Sequence, residues 1–166
     1  YTKTANIDVI LTLLTLAGGS LGIFAFIVIF DRKSVKENMM SRVFIICVLI
    51  IQIIAMLFIK GFHGEEINIA FWEFFGRNKI LMIYLGIINV ITFLAFAIDK
   101  LHAIKGKRRI RIITLLGLAF VGSSAGALLG MYTLRHKTKV DYFTVGVPLI
   151  MIMQAVVVFF VMNIRG

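Results

Sequence analysis

The sequence predicts an all-α integral membrane protein with about five transmembrane helices, and three observations support this fold class. Of the 166 residues, 60% are hydrophobic and only 16% are charged, and the mean hydropathy is +1.00. Uncharged runs of about 20 residues recur along the chain, and Lys and Arg cluster between them. A soluble domain of this size cannot bury so much apolar surface, because small globules leave a large fraction of their area in water.

Each run is long enough to cross a bilayer, whose hydrocarbon core of about 30 Å needs roughly 20 helical residues. The runs cover residues 9–30, 43–59, 80–98, 112–134 and 143–164. Segment 60–79 differs from them because it mixes Glu residues with Phe and Trp side chains, and it is predicted to be an interfacial helix at headgroup depth. The whole chain, 1–166, is predicted to form a single membrane domain.

Two of the runs share a pattern of small residues followed by a basic exit. The glycines that share this spacing are Gly18 and Gly22 in run 9–30, and Gly122, Gly126 and Gly130 in run 112–134. Lys33 and Lys137 are separated by the same number of residues as Gly18 and Gly122, and as Gly22 and Gly126. An internal repeat is therefore predicted, with units 9–59 and 112–164 joined by the interfacial segment 60–79 and the span 80–101.

The loop charges leave two arrangements open for the second unit. With loops 32–42 and 100–111 in the cytoplasm, eleven Lys and Arg residues lie inside and seven outside. The exit 135–139 does not fit, because a spanning run 112–134 places it outside. Either the two units are inverted repeats, which are common in transporters, or run 112–134 is re-entrant and turns at its glycines. The inverted arrangement is preferred, since the run has the length of a full crossing.

The spacing of Gly122, Gly126 and Gly130 places three small residues along one helical face. In lipid such a face lets another helix approach closely, and Gly18 and Gly22 repeat it in the first run. Close helix packing is the preferred interpretation. The alternative is a broken helix whose loosened backbone binds an ion.

Residues from about 84 to 154 resemble a known family. The pattern consists of Asn89, Thr92, Asp99-Lys100, a basic loop, the spaced glycines, Arg135-His136-Lys137-Thr138 and Gln154. It resembles the small bacterial membrane family catalogued as domain of unknown function 1294, and this resemblance implies a membrane fold and no activity. The N-terminal half looks like a degenerate copy that lacks a partner to the span carrying Asn89. Because the chain begins at Tyr1 rather than Met, we expect an upstream segment that this sequence does not include.

The basic exit Arg135-His136-Lys137-Thr138 is the leading candidate for a binding site. Arg supplies a planar fork and Lys a point charge, so the exit suits an anionic group, whereas anchoring to lipid headgroups is the alternative. Asp99-Lys100 closes the third span and Arg32-Lys33 closes the first, and both are further candidates for ligand or headgroup binding. Asp99 is expected to be solvated or to pair with Lys100, Arg32 or Arg108.

Polar residues inside the spans, Asn89, Thr92 and Gln154, are predicted to hydrogen-bond to other helices. The lining of a polar pathway is the alternative for them. The net charge of +10 comes from juxtamembrane Lys and Arg, which indicates anionic lipid rather than nucleic acid as the partner.

Enzyme chemistry is not favoured, and no metal site or cofactor is predicted. The histidines His63, His102 and His136 form no His-Glu-x-x-His pattern, and a spanning run 112–134 holds the last two about 30 Å apart. Cys47 is the single cysteine, so no disulfide can form within the chain.

Two functions from different classes remain open. The first is a small transporter or channel-like protein for an ion or anionic solute, with a site between the two glycine helices. The second is a non-catalytic membrane module that binds lipid headgroups or a partner membrane subunit, with a homodimer as the other protein assembly. An enzyme acting on a lipid phosphate is a distant third, and it requires an acid or a metal ligand near His136. The expected location is the bacterial plasma (inner) membrane, crossed several times.

Overall fold

The computed structural model of the protein describes residues 15–20, 22, 39–61, 67 and 69–164, and the regular elements in these ranges are all helical. The predicted all-α class is therefore confirmed for the described residues. The chain divides into two compact units, Tyr1–Phe62 and His63–Gly166. The prediction of one membrane domain containing two repeat-like units stays a prediction.

The described part of the first unit contains one long helix and one bend. Helix α1, Met39–Ile59, contains the predicted run 43–59. The first bend is a π-helical turn, Thr15–Gly19, in which Gly18 has a φ of 104°. This left-handed value favours glycine, because a Cβ atom is strained there.

Most of the predicted run 9–30 lies outside the described residues, which include only 15–20 and 22 of it. The candidate site residues Arg32 and Lys33 also lie outside them.

The described part of the second unit consists of helices interrupted by a second bend. The helices are α2 (Phe71–Arg77), α3 (Lys79–Ile104), α4 (Ile112–Leu118), α5 (Ser124–Thr133), α6 (Asp141–Thr144) and α7 (Gly146–Ile164). The second bend is the π-helical turn Ala119–Ser123, which joins α4 to α5. The predicted interfacial segment 60–79 contains the short helix α2.

Local sequence explains several helix ends in the second unit. The backbone N–H of Asn78 donates to the Phe74 carbonyl at 3.1 Å and its side-chain Nδ2 donates to the same carbonyl at 2.8 Å, so Asn78 caps the end of α2. Gly106 has a φ of 63° just after α3, so the chain turns there as it does after many helices. Pro148 lies in the first turn of α7, where its missing N–H removes no helical hydrogen bond.

Among the described residues, four helical segments are long and apolar enough to cross a membrane by length and composition. They are Met40–Ile59, Lys79–Ile104, Ile112–Thr133 and Asp141–Ile164. The third of these is not a straight helix. Gly122 has a φ of 120° and a ψ of 6° inside the second bend, which breaks the helical path between α4 and α5.

The segment between α4 and the end of α5 doubles back on itself. The amide N–H of Ile110, just before α4, donates to Asp99 Oδ1 at 2.8 Å. His136, just after α5, donates from Nε2 to Asp99 Oδ2 at 2.9 Å. A straight helix over this segment separates its ends by roughly 30 Å, so one carboxylate can contact both ends only if the segment forms a hairpin.

Helix α5 runs parallel to α3 as a result. Contacts follow the same chain order on both elements, with Gly122 beside Leu85, Gly126 beside Asn89, and Gly130 beside Phe93 and Phe96. A Cβ atom added at Gly126 would lie only 2.8 Å from the Asn89 Cα atom, so α3 and α5 are in backbone contact at this level. The side chains that are fully buried around this contact include Phe96, Ala127, Met131 and Phe143.

The preferred prediction for run 112–134, a full crossing as a straight helix, is therefore wrong. The physical reason is the left-handed backbone at Gly122, which reverses the chain and leaves both ends of the run at Asp99. The separation of about 30 Å predicted for His102 and His136 fails for the same reason. An inverted repeat is also not needed to explain the basic exit 135–139, because the hairpin returns it to the side of loop 105–111.

Candidate functional site

Asp99 is the centre of a buried charge cluster in the second unit. Its side chain is 0% exposed, although it is a carboxylate near the end of α3. Lys137 Nζ lies 2.7 Å from Asp99 Oδ2, His136 Nε2 donates to the same oxygen, and the Ile110 N–H donates to Oδ1. Burial of a carboxylate is costly unless it is paired and hydrogen-bonded, and these partners meet both requirements.

The backbone of the basic exit is shaped to bring His136 and Lys137 inward. Arg135 and Lys137 have positive φ values of 45° and 61°, although neither residue is a glycine. Such conformations cost of order 1–3 kcal/mol and persist only where the surroundings impose them. Lys137 Nζ also lies 4.8 Å from the centroid of the Phe143 ring, which adds a cation–π contact to the ion pair. The exit is therefore locked in place by Asp99 and Phe143.

Other cations at this end of the unit remain at the surface. Lys100 is the exception, because its Nζ donates to the Leu134 carbonyl at 2.7 Å and so binds a free carbonyl near the end of α5. The exposed cations are Lys105, Lys107, Arg108, Arg109, Arg111, Arg135 and Lys139. At this end of the unit, the buried Asp99 is neutralised by its ion pair, and the exposed Lys and Arg side chains form a positively charged rim.

The second bend is covered by polar side chains of α3. Asn89 Oδ1 accepts from the Gly126 N–H at 2.5 Å, and Asn89 Nδ2 donates to the Gly122 carbonyl at 3.3 Å. Thr92 and Ser123 share a hydrogen bond of 2.6 Å between their hydroxyls, and both residues are fully buried. Asn89 and Thr92 therefore bind the backbone and side chains of the bend, rather than facing an open pathway.

Gln154 of α7 clamps the same bend from another side. Its Oε1 accepts from the Ser124 hydroxyl at 2.6 Å. Its Nε2 donates to the carbonyls of Ala119 at 2.7 Å and Phe120 at 3.1 Å. The amide thus replaces the helical hydrogen bonds that the bend interrupts.

The first unit repeats this clamp at its own bend. The Ser20 hydroxyl donates to Gln52 Oε1, and Gln52 Nε2 donates to the Thr15 carbonyl at 2.7 Å. Ser20 and Thr15 correspond in chain position to Ser124 and Ala119, at the same separation as the paired glycines. Sequence reasoning did not identify Gln52. The signal that could have found it is that each glycine run is followed by an apolar run with one Gln, although Gln52 and Gln154 are 102 residues apart and the paired glycines 104.

The structure brings together some of the predicted site residues and separates others. His136, Lys137 and Asp99 form one cluster, whereas Arg135 is exposed beside it. The expected partners of Asp99 among the described residues, Lys100 and Arg108, are not the observed ones. The carbonyl of Thr138 accepts from the Thr144 hydroxyl at 3.3 Å, so the last residue of the motif takes part in a turn before α6. Sequence spacing could not show these pairings, because they depend on the hairpin.

The Asp99–His136 pair can hold or transfer a proton, since a carboxylate orients the imidazole through Nε2. It meets the requirement of an acid near His136 that was set for a lipid-phosphate enzyme. Lys137 contacts the same carboxylate oxygen, however, and this salt bridge makes the cluster a structural ion pair first. No group of three or more His, Cys, Asp or Glu side chains arranged to bind a metal occurs among the described residues.

Fold and site together define a class of all-α unit, in which a helical hairpin broken at glycine is clamped by amide side chains and closed by a buried Asp–Lys–His cluster. Residues 89–143 match the family described as protein of unknown function (DUF1294). YsdA of Bacillus subtilis (strain 168), an uncharacterized protein, is 40% identical over 79 residues, which cover 48% of this chain and 89% of YsdA. The chain belongs to this family. No solved structure matches it. The matched segment 89–143 contains Asn89, the second bend and the Asp99 cluster, so the family resemblance expected from the sequence is confirmed.

Proposed function

We propose that this protein is an integral membrane protein whose second unit binds anionic lipid headgroups at its Asp99 end. The exposed surface of α3 supports the membrane location, because a long apolar helix with satisfied backbone groups is stable in hydrocarbon. The exposed apolar side chains of α3 include Ile80, Met82, Ile83, Ile87, Val90, Ile91, Leu94 and Ile98. A bilayer is the solvent that suits this surface.

The position of the basic exit is the observation that carries the lipid-binding role. The hairpin returns residues 135–139 to the end that also holds loop 105–111, so seven exposed cations share one rim. A Lys or Arg close to an anionic membrane surface contributes about 1 kcal/mol of attraction. A rim of this charge therefore concentrates anionic headgroups without any catalytic group.

The residues of the basic exit have two different roles, one structural and one in binding. His136 and Lys137 are tied to Asp99, so they hold the exit in its conformation rather than contacting a ligand. Arg135 and Lys139 are exposed and carry the binding. Arg135 suits a phosphate especially well, because its planar guanidinium donates two parallel hydrogen bonds.

The same charges orient the unit. Nine Lys and Arg residues lie at the Asp99 end, against Arg77 and Lys79 near the start of α3. The positive-inside rule then places the Asp99 end in the cytoplasm of a bacterial plasma membrane. Cysteines placed at Lys107 and Lys139, in a Cys47→Ser background, are expected to react with an impermeant reagent from the same side. Labelling from opposite sides would contradict the hairpin.

A tryptophan placed in the rim can report lipid binding directly. Trp72 is the single tryptophan, so Trp72→Phe with Ile113→Trp leaves one fluorophore on α4, where Ile113 is 53% exposed. Brominated phosphatidylglycerol is expected to quench it more strongly than brominated phosphatidylcholine at equal mole fraction. Arg108→Gln, Arg109→Gln and Arg135→Gln together are expected to remove most of that preference.

Arg77→Gln with Lys79→Gln is the matched control, because it removes two cations from the other end of α3 and leaves the rim intact. Equal quenching by the two lipids in the protein with intact arginines would sink the lipid-binding role. Absence of quenching by either lipid would contradict the membrane location as well.

Transport of an ion or anionic solute is a second candidate, and the broken hairpin favours it. Many transporters bind their substrates at interrupted helices, and the second bend interrupts one inside the unit. The polar atoms that face this bend from Asn89 and Gln154 already have protein partners, so a passing ion has to displace them. Flux of chloride and phosphate into vesicles holding the purified protein tests this role. An unchanged flux in Asn89→Leu and His136→Ala variants would count against it.

A further inference from the structure

We propose that a groove at the start of α3 binds one anionic phospholipid in the opposite leaflet. The groove has a volume of about 660 Å³ and is lined by Arg77, Asn78, Lys79, Ile80, Leu81 and Tyr84. It lies where α2 ends and α3 begins, far along α3 from Asp99. This inference rests on the membrane location proposed above and is independent of lipid binding at the Asp99 rim.

Two cations line the groove. Arg77 Nη2 lies 3.9 Å from Glu73 Oε2, but these side chains are 75% and 72% exposed. An ion pair so open to solvent holds its partners weakly, which leaves the guanidinium able to bind a phosphate. Lys79 is exposed and adds a second positive charge two residues further on. The groove is therefore complementary to a phosphate diester.

The groove is also lined by apolar side chains, those of Ile80, Leu81 and Tyr84. Ile80 is 86% exposed and Tyr84 is 42% exposed, so both present apolar surface to a ligand. Soluble anions make no use of such a surface, whereas the glycerol backbone and acyl chain of a phospholipid cover it. Trp72 is 88% exposed on the adjoining helix α2, and exposed tryptophan is typical of the headgroup level of a bilayer.

The charge of the groove selects the kind of headgroup. A zwitterionic choline headgroup brings a quaternary ammonium close to Arg77 and Lys79, where like charges repel. A glycerol headgroup brings hydroxyls instead, and the lipid keeps its net negative charge. Phosphatidylglycerol is therefore the better occupant of the two.

The groove is also connected to the second bend. The Tyr84 hydroxyl donates to the Val121 carbonyl at 2.8 Å, and a Cβ atom at Gly122 would lie 3.7 Å from the Tyr84 ring. A lipid packed against Tyr84 thus limits the motion of a side chain that supports the hairpin.

Native Trp72 is the probe for this groove, because it is the single tryptophan and lies within two turns of Arg77 on α2. The full chain is reconstituted in bilayers that contain brominated phosphatidylglycerol or brominated phosphatidylcholine. Brominated phosphatidylglycerol is expected to quench the Trp72 fluorescence roughly fivefold more strongly than brominated phosphatidylcholine, which is the scale of attraction between basic residues near the membrane and anionic lipid. Arg77→Gln with Lys79→Gln is expected to abolish the preference, and Lys105→Gln with Lys107→Gln is expected to leave it unchanged.

Equal quenching by both lipids, or a preference that survives Arg77→Gln with Lys79→Gln, would overturn the proposal. So would a preference removed by millimolar glycerol phosphate, because the site would then bind a soluble anion. Quenching by neither lipid would contradict the membrane location itself. Unbrominated bilayers provide the folding control, since the emission maximum of Trp72 should match in all variants.

Discussion

The two bends of this protein are held by the same kind of Gln hydrogen bonds, but they differ in whether another helix packs against them. In each unit a Gln from the following helix binds a Ser hydroxyl and a carbonyl beside a glycine with positive φ. In the second unit α3 also lies against the bend, and Gly126 is buried in backbone contact with Asn89. In the first unit Gly22, which corresponds to Gly126, is exposed.

This difference separates two reasons for a glycine. Gly18 and Gly122 need glycine because of their backbone conformation, which the bend itself imposes. Gly126 needs it because another helix occupies the space of a side chain. The clamp is thus a local property of each unit, whereas the requirement at Gly126 depends on packing against α3.

The largest expected effect on stability comes from disrupting the packing of α3 against the second bend. Gly126→Ala forces a methyl group into the Asn89 backbone, so we expect α5 to separate from α3 and the protein to lose at least about 4 kcal/mol of stability. Gly22→Ala meets no described atom within 4 Å and is expected to change stability by less than about 0.5 kcal/mol. Thermal unfolding in detergent, together with the yield of monodisperse protein, measures both. Similar losses for the two variants would show that the bends are covered alike.

Among the described residues, only the second unit has a buried charge cluster, the one at Asp99. Its loss is expected to have the next largest effect on stability. Asp99→Asn leaves Lys137, whose side chain is 13% exposed, without a counter-charge. We expect a loss of about 3 kcal/mol, because removing one partner strands a buried charge. Asp99→Leu combined with Lys137→Leu should recover much of the loss in chemical denaturation. A double variant as unstable as the sum of the two single variants would indicate that the two groups do not interact.

Removal of the clamps tests the feature that the two bends share. Gln154→Leu removes the hydrogen bonds to the Ser124 hydroxyl and the Ala119 carbonyl, and Gln52→Leu removes those to the Ser20 hydroxyl and the Thr15 carbonyl. Each variant is expected to cost about 1–2 kcal/mol, the range for a buried polar group left unsatisfied. Hydrogen exchange at the amides of each bend measures the loss locally. Faster exchange in only one unit would end the equivalence of the clamps.

The smallest expected effect comes from a helical glycine that has neither role. Gly117 in α4 is exposed, has no positive φ and would meet nothing within 4 Å. Gly117→Ala should therefore raise stability by up to about 1 kcal/mol through helix propensity. An increase in the unfolding temperature checks this. A marked decrease would reveal a contact at α4 that resembles the one at Gly126.

Hydropathy predicted the long helices well and the hairpin badly. Runs 43–59 and 80–98 lie within α1 and α3, because long apolar segments form helices whatever surrounds them. Run 112–134 has the length and composition of a crossing helix, and its glycines and basic exit left a re-entrant turn open without deciding in its favour. The pairing of Asp99 with His136, 37 residues apart, follows from the hairpin and was equally out of reach.

The sequence by itself determined the helical class, the positions of the glycines that permit the bends, and the concentration of Lys and Arg at the helix ends. These properties depend only on residues that are close together in the sequence, so they can be read before the fold is known. Only the tertiary structure decided which cations are free. The chain reverses at Gly122 because Asn89, Gln154 and Asp99 bind backbone and side chains that lie about 30 or more residues away in the sequence. Such long-range hydrogen bonds pair His136 and Lys137 with a buried carboxylate and leave Arg135 at the surface.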